Sequence, residues 1–255
     1  MAKAKIAYDE KAIQTLDALE HIRLRTGMYI GRLGDGSNPT DGIYILLKEV
    51  VDNSVDEFIM GQGKVIEIAR KKESMLVRDY GRGIPLGKVI DCVSKVNTGG
   101  KFNDDVFQFS VGLNGVGTKA VNALSAEFEV VSFREGKFLQ GLFREGKLVT
   151  QKDGRDAKAR TGTLVRFTPD PKIFATYTWN DEFILKRLRY YSYLNSGLRF
   201  QYNGSTVVSQ GGLLDLLMEE IGEESMHYEI ARFRGAHRDP RAQCFATRSW
   251  FSGSE

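Results

Sequence analysis

Residues 126–168 read AEFEVVSFREGKFLQGLFREGKLVTQKDGRDAKARTGTLVRFT, and this stretch decides the fold. Its runs of β-branched and aromatic residues are broken by two Glu-Gly pairs, Glu135-Gly136 and Glu145-Gly146. That pattern predicts an antiparallel meander. Toward the N-terminus, helical periodicity covers 15–24 and, more strongly, 41–60; strand-like runs follow at 64–69 and 74–79, and another helical pattern at 86–96. The stretch from Asn97 to Gly117 holds five glycines and few periodic apolar positions, so it reads as a long functional loop. Beyond the strands come a helix at 181–195 and a short strand pair broken by Asn203-Gly204. Helices and antiparallel strands in separate blocks predict an α+β layered domain, not a doubly wound parallel sheet. No internal repeat or low-complexity tract interrupts the chain.

With 255 residues, 42% hydrophobic and 11% aromatic, the chain can bury a sizeable core. No apolar run reaches the roughly 18 residues of a membrane span, and Met-Ala-Lys-Ala-Lys at the start is no secretory signal, so the expected compartment is the cytoplasm. Cys92 and Cys244 form neither a disulfide framework nor a zinc pattern, and His21, His227 and His237 suggest no metal cluster. The net charge of +3, with a sequence pI of 8.7, falls short of the footprint of a dedicated nucleic-acid-binding domain.

Along 41–60, Ile43, Leu46, Leu47, Val50, Val51, Val55, Phe58 and Ile59 form an apolar arc, and Glu49, Asn53, Asp56 and Glu57 lie opposite. Two readings are open: the solvent face of an amphipathic helix, or a face on which a carboxylate activates water while an amide oxygen completes a magnesium shell. Downstream, Asp79 ends an apolar run and is followed by Tyr80-Gly81-Arg82-Gly83-Ile84-Pro85. This is either a plain turn with a surface aspartate or a carboxylate able to accept from the amine of adenine, where guanine would present an oxygen. Gly112-Leu113-Asn114-Gly115-Val116-Gly117-Thr118-Lys119 then leads into a helical pattern and suits an anion. It is no P-loop, because threonine precedes lysine, and its glycine spacing reverses the dinucleotide fingerprint.

The ordered set Glu49-Val-Val-Asp52-Asn53, Asp79-x-Gly81-x-Gly83 and Gly112-x-x-Gly115-x-Gly117 resembles the Bergerat ATP-binding fold of gyrase, the ninety-kilodalton heat-shock chaperone, histidine kinases and MutL. Four further segments, Arg25–Gly31, Thr98–Phe102, Val121–Ser125 and Thr161–Phe167, are similar to the B subunits of bacterial type IIA topoisomerases, over roughly residues 5–230. The resemblance implies a two-layer sandwich with helices on one face of a mixed, mainly antiparallel sheet. It implies an ATP-binding domain over 1–222, with a dimerisation arm at 1–15, and over 223–255 the start of a second domain or a non-native tail.

Carried over by position, Glu49 would activate the attacking water, Asn53 would ligate Mg2+ beside ATP, and Asp79 would read adenine with Thr163 helping through a water. Arg82 would pair with Glu57 at the pocket rim beside Gly83, Ile84 and Pro85, and Arg134 would contact aminocoumarin inhibitors. Lys101 and Leu113, Asn114, Gly115, Val116 and Gly117 would form the lid over the phosphates. Tyr8 and Ile13 would cross to a second copy of the subunit. The whole assembly would add a topoisomerase A subunit and DNA, with no membrane. Three residues depart from the family: Thr26 stands for a proline, Tyr80 for a second aspartate, and Asn114 for a histidine. The implied function is ATP hydrolysis driving DNA strand passage; the alternative is a nucleotide-gated dimerisation clamp such as MutL, against which Glu49 speaks. Because the family's phosphate-contacting lysine lies in the second domain, the chain is expected to bind ATP but hydrolyse it slowly.

Overall fold

The computed structural model describes residues 15–100 and 115–221 in full, and the backbone of 230–234 and 243–247. The helices are α1 (Ala18–Leu24), α2 (Thr26–Ile30), α3 (Gly42–Ile59), α4 (Val89–Ser94), α5 (Gly117–Ala123), α6 (Asp181–Leu194) and α7 (Leu213–Ile221). Two begin with side-chain caps: the Asp17 carboxylate accepts from Leu19 N and Glu20 N, and Asn180 accepts from Glu182 N. The helical pattern at 86–96 resolves into a 3-10 turn, Leu86–Lys88, and α4.

The strands are β1 (Val65–Lys71), β2 (Ser74–Asp79), β3 (Ser125–Arg134), β4 (Lys137–Arg144), β5 (Lys147–Arg155), β6 (Gly162–Pro169), β7 (Arg199–Tyr202) and β8 (Ser205–Val208). They make one sheet in the order β5-β4-β3-β6-β2-β1-β7-β8, and only β1 and β7 pair in parallel. The sheet is mixed and mainly antiparallel, and the domain is α+β. The expected meander is corrected at its fourth strand. β3, β4 and β5 run as hairpins, but β6 returns to pair with β3. Burial explains the return: Phe167 and Val165 sit opposite Phe128 and Val130, all four in the core, whereas β5 is exposed along most of its length.

Ile66, Ile68, Met75 and Val77 extend that apolar layer across β1 and β2, and Leu46, Leu47, Val50, Val51 and Val55 of α3 join the same core. Positions that alternate with these carry the polar partners, such as Arg166 and Glu129, 3.2 Å apart across β6 and β3. β9 (Ile230–Arg234) and β10 (Gln243–Thr247) form an antiparallel pair separate from the main sheet.

Phe167 is fully buried and packs edge-on against Trp179. Phe167→Ala should lower the unfolding free energy by about 3–5 kcal/mol. Leu148→Ala, on the exposed β5, should change it by less than about 0.5 kcal/mol. Urea denaturation of both variants measures the contrast, and equal losses would contradict this placement of the core.

Candidate functional site

Asp79 closes β2 with its carboxylate buried. Oδ1 accepts from Gly81 N at 2.9 Å and from Thr163 N at 3.1 Å, and the Ser54 hydroxyl lies 3.4 Å from Oδ2. The first bond is a local turn in which an aspartate accepts from the backbone two residues on. The second brings in β6 through the Thr163 main chain. Burial pushes the Asp79 carboxyl from its ordinary 3.8 up to about 6, against the pull of those two N–H donors and with a smaller upward push from Glu57.

Three glycines make this junction sterically possible. A Cβ on Gly81 would meet the Glu57 side chain at 2.6 Å, one on Gly83 (φ +70) would meet Phe133 O at 2.8 Å, and one on Gly162 (φ +135) would meet Asp79 O at 2.2 Å. Glu57 receives Arg82 three times, from its N at 2.8 Å, Nε at 3.0 Å and Nη2 at 2.9 Å. Beside this turn, Ser132 donates to Ile84 O at 2.6 Å, and a Cβ on Gly83 would come within 3.1 Å of Arg134 Cγ. Arg134 therefore lies against the turn that carries Ile84 and Pro85.

The polar arc of α3 is not a solvent face. Asp56 is 0% exposed and Asp52 2%, while Glu49, Asn53 and Glu57 are half-buried. The arc faces the β2 turn and α5. Asn53 Nδ2 donates to Glu49 O at 2.7 Å and to Thr118 Oγ1 at 2.9 Å. Gly117 lies so near Glu49 that a Cβ there would sit 1.8 Å from Oε2. Gly115, at φ +61, and Val116 lead the chain into α5. Lys101, Leu113, Asn114, Tyr8 and Ile13 lie outside the described residues.

Several pairings here carried no signal in the sequence. Asp52 pairs with Lys48 Nζ at 2.5 Å and accepts from the Tyr191 hydroxyl, whose phenol is pushed far up by burial and by the Asp52 charge. Lys119 is 4% exposed and donates to Thr98 O at 2.7 Å, tying α5 to the Thr98-Gly-Gly segment. No spacing in the chain links 52 to 191 or 98 to 119, so only the fold could bring them together. Tyr80 turns to the other side of the sheet, where it donates to Glu67 Oε1 at 2.8 Å beneath the Arg160 guanidinium. Among the described residues no group of three or more His, Cys, Asp and Glu could hold a metal. An open cleft of about 480 Å3, lined by Leu16, Ala18, His21, Tyr29, Val96 and Val116, shares only Val116 with this arrangement.

The chain is 55% identical over 226 residues to the topoisomerase IV B subunit of Borreliella burgdorferi, across 89% of this chain. It belongs to the B-subunit family of topoisomerase IV and gyrase. The topoisomerase IV B subunit of Bacillus subtilis is 41% identical over 92% of this chain, and the gyrase B subunit of Thermotoga maritima is 36% identical over 86%. The fold matches that of the 43K ATPase domain of Thermus thermophilus gyrase B, solved with an aminocoumarin, at TM-score 0.73 and 31% identity, over 87% of this chain and 60% of that one. The chain spans 38% of the length of the Borreliella protein, 37% of the Bacillus one and 36% of the Thermotoga one. No protein-family profile matches it.

The Asp79 carboxyl gives the stability of this B-subunit domain a pH dependence with a definite sign. A carboxyl whose folded pKa is raised stabilises the fold below its unfolded pKa, and that contribution is lost as pH rises through the folded value. The rise from 3.8 to about 6 corresponds to about 3 kcal/mol. Urea denaturation should show wild type losing most of this, roughly 2 kcal/mol, relative to Asp79→Asn between pH 4 and pH 7. Parallel profiles would contradict the burial of this charge.

Proposed function

We propose that this chain binds and hydrolyses ATP as the ATPase domain of a type II topoisomerase B subunit. The observation that carries the reading is Asp79, a buried acceptor whose Oδ1 is held by Gly81 N and Thr163 N. Its other oxygen suits the exocyclic amine of adenine. Guanine would set an oxygen against it and leave both acceptors unpaired. Thr163 contributes its backbone amide, in addition to the water-mediated contact implied by the resemblance. Ile84 and Pro85, with Arg82 held by Glu57, border the base on the turn beyond Gly83.

At the other end of the site, Gly115, Val116 and Gly117 present backbone at the start of α5, and the resemblance adds Lys101, Leu113 and Asn114 to the lid over the phosphates. The Asn53 amide suits Mg2+: Nδ2 donates to protein on both sides, so the one acceptor of the amide, Oδ1, is the ligand atom. A shell in which protein supplies one or two ligands and phosphates and water the rest agrees with the lack of an acidic cluster among the described residues. When bound, Mg2+ neutralises developing charge on the phosphates. Glu49, beside Gly117, takes the proton of the attacking water. Arg134, against Gly83, is the contact for an aminocoumarin of the kind bound by the Thermus domain.

The same reading extends to the whole protein: an ATPase domain over 1–222 whose arm at 1–15, with Tyr8, crosses to a second copy, a further segment at 223–255, and a cytoplasmic complex with an A subunit that passes DNA strands. No helix among the described residues is long and apolar enough to cross a membrane.

Titration calorimetry should show the chain binding ATP in preference to GTP, and Asp79→Asn should lose ATP affinity at least about tenfold, the weight of one buried hydrogen bond to a charged group. Equal affinity in variant and wild type would overturn the adenine contact. Glu49→Ala in the full-length subunit should keep ATP binding and lose about 10²–10⁴-fold in phosphate release. Turnover at the wild-type rate would remove Glu49 from the role of base.

A further inference from the structure

The chemistry of its neighbours forces the orientation of the Asn53 amide. Its Nδ2 lies 2.7 Å from Glu49 O and 2.9 Å from Thr118 Oγ1. A main-chain carbonyl only accepts, so the atom facing Glu49 O is the nitrogen; turned over, the amide would set two oxygens at hydrogen-bond distance. That nitrogen carries two hydrogens, and the second reaches Thr118. Thr118 is the second residue of α5 and directly follows Gly115-Val116-Gly117. Its hydroxyl accepts from Asn53 and retains a rotating proton of its own. The Asn53 amide is thereby joined to the element that begins at the glycine turn.

We infer that Thr118 is a positioning residue, whose hydroxyl sets the Asn53 amide for a divalent cation and ties that amide to the glycine turn, so that cation and phosphates are bound together. The inference rests on the nucleotide reading above. Valine has the same branched shape but no acceptor, so Thr118→Val takes away one acceptor of the half-buried Asn53 amide nitrogen and loosens the hold of α5 on that amide, while the bond to Glu49 O stays. Groups that orient a metal ligand are worth about 10–100-fold in metal affinity. A structural role alone would weaken nucleotide binding whether or not the cation is present. The inferred role acts on the cation-dependent part.

The test is calorimetric titration of the chain with a non-hydrolysable ATP analogue, once with Mg2+ and once with EDTA. Thr118→Val should bind the analogue in EDTA within about twofold of wild type. Its Mg2+-dependent gain in affinity should fall on the order of tenfold. Thr118→Ser, which keeps the hydroxyl, should restore the gain, and Thr118→Val added to Asn53→Ala should cost nothing further. A full Mg2+ gain in Thr118→Val, an equal loss with and without Mg2+, no restoration by serine, or an additive loss on Asn53→Ala would each overturn the inference. A wild-type chain that failed to bind the analogue would overturn the nucleotide reading itself, and the role of Thr118 with it.

Discussion

A carboxylate buried at the end of a strand has to be satisfied, and at Asp79 two main-chain N–H groups do this. One belongs to the turn that follows β2 and the other to β6, so a single side chain fastens the neighbouring strands at the edge of the candidate site. The cost is visible in the proton affinity of the group, which burial raises to about 6 despite both donors. Glycines at 81, 83 and 162 are the steric side of the same constraint, since a Cβ at any of them would displace α3, β3 or the Asp79 backbone.

From that junction the rest of the site follows along α3. Glu57 anchors the turn through Arg82, Asn53 lies one turn earlier, and Glu49 one turn before that, against Gly117. One helix thus spans the site from the β2 turn to the start of α5. Its opposite arc, Leu47, Val51, Val55 and their neighbours, is buried in the hydrophobic core. Packing on one side of the helix therefore sets the spacing of chemistry on the other.

Much of this was legible in the amino-acid sequence, for physical reasons that differ by residue. The strands of 125–169 announce themselves through β-branched and aromatic runs and Glu-Gly turns, and α3 through a strong helical period. The return of β6 to β3 was not legible, because local pattern does not encode which edge an apolar strand joins. Glu49, Asn53 and Asp79 stood out through ordered motifs. The burial of Asp52 and Asp56 did not: a polar stripe reads the same whether it faces water or a second helix. Asp52 with Tyr191, Lys119 with Thr98 and Asn53 with Thr118 are long-range meetings that only the folded chain creates.

Asp79 is, on this account, the anchor of an adenine nucleotide held between the β2 turn and the start of α5. A crystal structure of the chain with Mg2+ and a non-hydrolysable ATP analogue tests that claim most directly. The expected result is the exocyclic amine of adenine within about 3 Å of the Asp79 carboxylate, with the phosphates against Gly115–Gly117. A base bound elsewhere, with Asp79 still paired only to Gly81, Thr163 and Ser54, would contradict it.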